Sequence, residues 1–279
     1  MNAAHYIVYV SAGLTVASLF VELFATAEAA ASLRQTFALS LSSFRIWSVV
    51  TSSFFEDSFL KSALCLAVSH KFISSLEVVW STRSVIQYLF TTMIATSICI
   101  IPLLFVTGQS CYGQTGLLMA SSIAYRHAVP TRPLLPLISD IIPTRLFQAR
   151  HLPFIILCIS ILGYIIQPLH FADLPFVLSS FFTSWFYLRY YFHFKLAGVR
   201  GDHSTDFSFD VLFPRVTRPY ISYITSHVFA CACRFVPQLR LRSAEDDVLY
   251  DKGGDSSVEM RRQKALKYLE ENITKLSQV

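Results

Sequence analysis

Six long apolar blocks occupy the first two-thirds of the chain, and a charged segment follows them. A bilayer core about 30 Å thick needs roughly 20 mostly apolar residues to be crossed as a helix. Only 15% of the 279 residues are charged, against about 25% in soluble domains. We therefore expect an all-α integral membrane protein with spans at Tyr6–Ala27, Phe59–Leu76, Val85–Val106, Gln114–Val129, Leu152–Gln167 and Leu174–Tyr191.

The first apolar block could be a cleaved signal peptide or a retained span, and the loop after it is unusually apolar. Ala25-Thr26-Ala27 imitates a signal-peptidase site, but Met1–His5 has no Lys or Arg and the apolar run is longer than a signal peptide requires. We favour a retained first span over a cleaved signal peptide. The loop Ser32–Glu56 is half apolar, so we expect part of it to lie in the membrane surface.

The basic residues predict the orientation of the spans. Lys and Arg gather around the loops after the second, fourth and last spans, whereas the short loops at 107–111 and 168–172 contain neither. Cytosolic loops carry the excess of Lys and Arg in membrane proteins. We expect an even number of spans, both termini in the cytosol, a membrane domain at 1–193 and a cytosolic tail at 194–279.

Composition argues against several kinds of site. The six cysteines are scattered, and none of their spacings resembles a zinc site. The net charge of +5 is modest and is not gathered into the basic patch that binding to nucleic acid requires. We therefore expect no metal, no cofactor and no nucleic-acid partner, whereas membrane lipids are the obvious contact.

The tail carries two helical patterns. In Pro219–Phe235, apolar residues recur at helical spacing, which predicts a helix on the bilayer surface with its apolar face towards lipid; a seventh span is the alternative. The apolar face consists of Ile221, Ile224, Val228, Cys231 and Phe235, opposite Ser222, Ser226 and His227. Cys231 and Cys233 in this helix are candidates for S-acylation.

Ser256 and Glu259 form a capping-box pattern at the start of a last helix. Its apolar seam is a candidate surface for a partner helix or for the rest of the protein, and consists of Leu266, Leu269, Ile273 and Leu276.

Three segments resemble the transmembrane protein 115 family, the Golgi branch of the rhomboid-like proteins. The exit of the last span reads Ser-Trp-Phe-Tyr-Leu-Arg-Tyr-Tyr over 184–191, with Trp185, Tyr187 and Arg189, and continues through Arg200, Gly201, Asp202, Phe207, Phe209, Phe213 and Pro214. The second segment, Leu76–Trp80, contains Glu77 and Trp80, and the third is 261–269 in the last helix. The resemblance covers nearly the whole chain.

The physical roles of these residues can be stated apart from the resemblance. The aromatic residues at the exit suit the membrane–water boundary, and Arg189 suits the cytosolic headgroups. The aromatic residues are Trp185, Tyr187, Tyr190 and Tyr191. Glu77 is placed to cap a helix or to pair with Arg83, which would fix the turn between two spans.

Active members of the rhomboid superfamily use a serine in a Gly-x-Ser-Gly setting and a histidine on the sixth span. Here the matching tetrad is Gly113-Gln114-Thr115-Gly116, with Thr115 at the nucleophile position. The sixth predicted span contains no histidine, and only His170, in the loop before it, shares the predicted luminal side with Thr115. We therefore expect no enzyme activity; proteolysis by Thr115 and His170 is an alternative. The competing role for Thr115 is packing or a bond back to its own helix, with Gly113 and Gly116 permitting close helix contact.

The resemblance implies a rhomboid-like six-helix bundle without catalysis, resident in the Golgi membrane. It also implies a role in Golgi organisation and retrograde Golgi-to-ER vesicle transport through tethering or coat proteins. Client transmembrane segments and a homo-oligomer are further partners left open. A small-solute transporter is a second alternative because Glu22 lies in the first span, although no second deep charge accompanies it.

Overall fold

In a computed structural model, the chain forms two compact units, Met1–Phe192 and His193–Val279. The predicted boundary lies one residue later. The residues that the structure describes are 6–7, 9–14, 16, 32, 36–40, 45–56, 58–107, 110–130, 149–166, 173–194, 199–202, 204–214 and 217–235.

The first unit, Met1–Phe192, contains the predicted spans and is called the membrane unit. Its described residues are mostly helical. Residues 6–7 and 9–14, within the first predicted span, are helical. The elements after them are α1 (Ser48–Thr51), α2 (Phe59–Val79), α3 (Thr82–Thr107), α4 (Thr115–Ala128), α5 (Leu152–Ile166, with a 3₁₀ turn at Ala149–His151 before it) and α6 (Leu174–Tyr190). The bounds of α2 to α6 agree with five of the predicted apolar blocks to within three residues, and α3 continues through Pro102.

Three helices of the described ranges are long and apolar enough to cross a bilayer, and they correspond to α2, α3 and α5 with its preceding turn. At most 39% of each apolar window is buried inside the protein, so most of these surfaces face outward. In contrast, α4 has 14 residues and 11 of them are buried. Helix α4 therefore lies inside the bundle, whereas α6, with 9 of its 17 residues buried, is only partly enclosed.

Helix α4 is the centre of the unit and packs against α2, α3, α5 and α6. Its small residues let neighbouring backbones approach, as in other membrane bundles. Two hydrogen bonds to its backbone hold the neighbours: the Tyr88 hydroxyl donates to the Ala120 carbonyl at 2.9 Å, and the Ser180 hydroxyl donates to the Gly116 carbonyl at 2.7 Å. In addition, α3 and α6 are joined by a hydroxyl–hydroxyl bond of 2.8 Å between Thr96 and Thr183.

The loop before α2 packs partly into the bundle. Leu39 and Cys111 exchange two backbone hydrogen bonds of 2.9 Å, and both are fully buried beside Ile100, Leu104 and Phe176. Ile46 and Trp47, however, are 83% and 53% exposed. Part of the loop was predicted to lie in the membrane surface. Ala38, Leu39 and Phe55 join the core, and the exposed pair Ile46 and Trp47 leaves that prediction open for the rest of the loop.

The second unit begins with an antiparallel pair of two-residue strands, β1 (His193–Phe194) and β2 (Val199–Arg200), which the sequence did not predict. Two 3₁₀ turns follow, at Thr205–Phe207 and Phe209–Leu212, and then α7 (Arg218–Phe235). The predicted helix at Pro219–Phe235 is thus confirmed as a helix. Although α7 has 18 residues, it is not among the helices apolar enough to span a membrane, so the seventh-span alternative gains no support.

Candidate functional site around Gly113

The segment that leads into α4 is anchored on the loop before α2. The Gly113 N–H donates to the Ser52 carbonyl at 3.0 Å. The Gln114 side chain accepts a bond from the Ser62 hydroxyl at 2.8 Å and donates one to the Phe54 carbonyl at 2.8 Å. The end of the loop before α2 and the first turn of α2, both distant from the tetrad in sequence, are therefore fixed against the segment that contains Thr115.

Gly113 is needed for its backbone and for its missing side chain. Its φ is +153°, a value that L side chains rarely adopt. A Cβ at this position would collide with Oδ1 of Asp173, and it would lie 3.4 Å from Oγ1 of Thr115. Asp173 immediately precedes α6, so Gly113 is where the start of α4 meets the start of α6.

Gly116 serves the contact between α4 and α6 one turn further along. A Cβ added to it would lie 3.4 Å from the Cβ and Cδ1 atoms of Phe176. Ser180, one turn beyond Phe176, donates to the Gly116 carbonyl. The expectation that Gly116 permits close helix contact is therefore supported by its geometry.

Thr115 lies between these two glycines and is 9% exposed. Among the described residues, the Thr115 hydroxyl has no hydrogen-bond partner. The bond from this hydroxyl back to its own helix, which was one of the roles expected for Thr115, is therefore not formed among them. The Ser52 and Ser53 hydroxyls and Asp173 Oδ1 likewise have no hydrogen-bond partner among the described residues. Buried polar atoms are normally satisfied by protein or by water, so this arrangement is suited to holding water or another polar group.

A charged cluster closes the same end of the unit. Lys61 at the start of α2 pairs with Oδ2 of Asp173 and with Oε1 of Glu56, the latter at 3.3 Å. Glu56 is almost fully buried, at 1% exposure, and Lys61 is 30% exposed. One cation thus joins the loop before α2, the start of α2 and the start of α6. This cluster was not predicted from the sequence.

The thiol of Cys111, close to this site in sequence, is not a reactive nucleophile. Cys111, in the segment between α3 and α4, is fully buried, and burial raises the pKa of its thiol to about 11. Since the thiolate is the reactive form, Cys111 is a packing residue at neutral pH. Among the described residues, no group of three His, Cys, Asp or Glu could hold a metal ion.

The opposite end of the bundle is built on Trp80, which follows α2. Its ring lies 4.6 Å from that of Phe192 and 5.7 Å from that of Tyr88. Tyr187 also contacts both of these rings, with centroids 6.0–6.2 Å apart. Trp80 and Tyr187, two residues of the family motif, are therefore packed in one aromatic cluster. Pairing of Glu77 with Arg83 stays a prediction.

Trp185 differs from the role predicted for it. It is 9% exposed and contacts the rings of Phe182 and Tyr190 on its own helix. Its burial within the chain shows that it packs in the bundle, whereas the exposed Tyr191 suits the predicted boundary position better. Arg189 is half-buried near the end of α6.

The rest of the exit motif forms a folded turn in the second unit. Gly201, which follows Arg200 at the end of β2, has a φ of +79°, which favours glycine. Oδ1 of Asp202 accepts from the Ser204 N–H at 3.0 Å, a local bond typical of turns. Phe207 is buried, and the Phe209 and Phe213 rings pack edge to face at 5.5 Å, directly before Pro214. The motif therefore shapes this unit.

Several predicted sites lie outside the described residues. These are His170 of the alternative catalytic pair, Glu22 of the transporter alternative, and the apolar seam Leu266, Leu269, Ile273 and Leu276. The side chains of Cys231 and Cys233 belong to the same group, although their backbone is part of α7.

Comparison with known proteins places the chain in a family. The family described as eukaryotic integral membrane protein (DUF1751) matches residues 8–275. The chain is also similar to Rhomboid-like protein 19 of Arabidopsis thaliana, with 26% identity over 247 residues that cover 81% of this chain and 76% of the relative. No solved structure matches it. With nearly its whole length matched, the chain belongs to the eukaryotic integral membrane protein family DUF1751.

Proposed function

We propose that the protein is a non-catalytic rhomboid-like membrane protein that acts by binding other proteins. One observation carries the proposal: Thr115 has no hydrogen-bond partner among the described residues, and α6 meets the adjacent Gly116 with Phe176 and Ser180. A hydroxyl nucleophile needs a base within hydrogen-bond reach. Neither a phenyl ring nor a serine hydroxyl supplies that base, and α6 contains no histidine. The carboxylate of Asp173, near Gly113, is paired with Lys61.

The bundle in this proposal has six spans, with both termini in the cytosol. The close match between α2–α6 and the apolar blocks supports the count, as does the helical start of the first block. The short helices α4 and α6 count as spans in this proposal because they coincide with predicted apolar blocks and pack on each other within the bundle. The distribution of Lys and Arg supports the orientation.

The site of action in this proposal is the Golgi membrane, and the process is Golgi organisation with retrograde transport to the endoplasmic reticulum. The support is the resemblance of the exit motif to the transmembrane protein 115 family. Because Gly201 and Phe207 of that motif are buried in the second unit, they are poor candidates for direct partner contact. The seam of the last helix, Leu266 to Leu276, is the better candidate for tethering or coat proteins.

Deletion of Asp255–Val279 is expected to remove most cytosolic partners while the bundle stays inserted in the membrane. Proximity labelling from a tag placed after residue 254 in both the full chain and the truncated chain measures this directly. The full chain should label tethering or coat proteins of Golgi membranes, and the truncated chain should not.

A pair of substitutions provides the matched control. Leu266→Ala with Leu269→Ala should reproduce the deletion, because both residues belong to the apolar seam. Lys264→Ala with Lys267→Ala, on other faces of the same predicted helix, should leave the labelled set unchanged. Identical labelled sets from the truncated and full chains would contradict the role of the tail, and a set drawn from another organelle would contradict the Golgi assignment.

A further inference from the structure

Helix α7 displays an exposed row of aromatic side chains. Tyr220 is 73% exposed and Tyr223 is 65% exposed, and His227 is exposed as well. Their spacing of three and four residues places them on one face of the helix, and the rings of Tyr223 and His227 lie 4.3 Å apart. We call these three residues the aromatic stripe.

The opposite face of α7 is occupied by its own unit. Arg218, Ile221 and Thr225 are half-buried, and α7 packs on the 3₁₀ turn Phe209–Leu212. The Arg218 Nε–H donates to the Phe213 carbonyl at 3.2 Å, which fixes the start of the helix. The sequence pattern placed Ile221 on the lipid-facing side, whereas the structure half-buries it and turns the tyrosines outward.

The chemistry of the stripe suits the lipid headgroup region. Tyrosine has an apolar ring and a polar hydroxyl, and it is enriched where membranes meet water. The flanking exposed residues, Ser222 and Ser226, are small and uncharged. A stable contact with a folded protein buries about 800 Å² on each partner, which a stripe of three side chains does not supply by itself.

The covalent connection of α7 makes a membrane contact accessible. The second unit begins at His193, three residues after α6 ends, and the chain belongs to an integral membrane protein family. A compact unit on so short a connection meets the bilayer at a high effective concentration, so even a weak lipid contact is populated.

We propose that the aromatic stripe of α7 docks into the headgroup region of the bilayer that holds the helical bundle. The lipid contact is thus made by the face opposite Ile221, and α7 lies with Tyr220 and Tyr223 towards the membrane. This inference depends on membrane insertion and not on the proposed partners in the Golgi.

Photo-crosslinking in native membranes tests the inference on the full chain. Benzoylphenylalanine is placed at Tyr220 or at Tyr223, where it replaces one aromatic ring with another and preserves the helix. Ser222, exposed on the same helical turn but on a different face, provides the matched control. After irradiation, mass spectrometry of the purified protein identifies the crosslinked species.

The expected result is phospholipid adducts at positions 220 and 223 that are at least five-fold more abundant than at position 222. Protein adducts at 220 and 223 would identify a protein partner on the stripe and overturn the proposal. Equal lipid adducts at all three positions, or none at 220 and 223, would overturn it as well. Loss of labelled Golgi partners on tail deletion has no bearing on this result.

Discussion

Replacing Gly113 with alanine is expected to destabilise the membrane unit by about 2 kcal/mol or more. A non-glycine residue at a strained φ costs of order 1–3 kcal/mol, and here φ is +153°. The added Cβ also collides with Oδ1 of Asp173, and the other carboxylate oxygen, Oδ2, is paired with Lys61, which holds the Asp173 side chain in place. Thermal unfolding of the purified protein in detergent should therefore show a clearly lower midpoint for Gly113→Ala.

Gly163→Ala provides the matched control for this substitution. Gly163 lies inside α5, and a Cβ added to it would meet nothing within 4 Å. Alanine has a higher helix propensity than glycine by about 1 kcal/mol, so the control should unfold at the same temperature or higher. Equal midpoints for Gly113→Ala and the unsubstituted protein would contradict the close approach of Asp173 to Gly113.

Replacing Lys61 with methionine is the second change for which we expect a large effect. Lys61 pairs with both Glu56 and Asp173, and Glu56 is 1% exposed. Removing one partner of a buried ion pair costs about 3–5 kcal/mol because a buried charge loses its compensation. Since Lys61 is itself 30% exposed, solvent screening reduces the expected loss to about 1–3 kcal/mol. The midpoint of thermal unfolding again provides the measurement.

Two further substitutions test whether the effect of Lys61→Met comes from its ion pairs rather than from the loss of any lysine. Lys71→Met removes an exposed lysine from the same helix and should have little effect. Asp173→Asn combined with Lys61→Met should cost less than the sum of the two single changes, because the two side chains interact directly. Strictly additive effects would show that Lys61 and Asp173 do not stabilise one another.

The helices of the membrane unit could be predicted from sequence because each is a continuous apolar run between polar or proline-containing segments. The clearest cases are α3 and α5, whose ends lie within three residues of the predicted ones. The pairing of Leu39 with Cys111 could not be predicted, because its two backbone hydrogen bonds join distant segments and backbone groups carry no local signature of their partner.

The site was predictable in part. Gly113, Thr115 and Gly116 were identified from sequence as the degenerate nucleophile position, with the two glycines permitting close helix contact, and both glycines are closely approached in the structure. That α6 is the helix that approaches them was not predicted. The ion pair between Lys61 and Asp173 was missed because Lys61 lies in the first turn of α2 and Asp173 directly before α6, far apart in the sequence, and each has the appearance of an ordinary charge at a helix end. An acidic residue directly before Leu174-Pro175, at a helix start, was the available signal.

The existence of helix α7 could be predicted from sequence, but the face with which it contacts the rest of its unit could not. Its period of apolar residues predicted the helix and one apolar face, since Ile221 and its neighbours recur at helical spacing. Which face contacts the rest of the unit depends on the position of the turn Phe209–Leu212, and a period alone does not contain that information. The exposed Tyr220 and Tyr223 were therefore assigned no role from sequence.

Cleavage by the purified protein, with and without Thr115→Val, tests most directly whether Thr115 performs chemistry. The protein is reconstituted into liposomes with a set of reporter transmembrane segments, and new termini are identified by mass spectrometry. We predict no new termini from either protein, with Thr115→Val at least as stable as the unsubstituted chain, because it removes a buried hydroxyl without a hydrogen-bond partner in the described structure. Reporter cleavage by the unsubstituted protein that disappears in Thr115→Val would contradict the account.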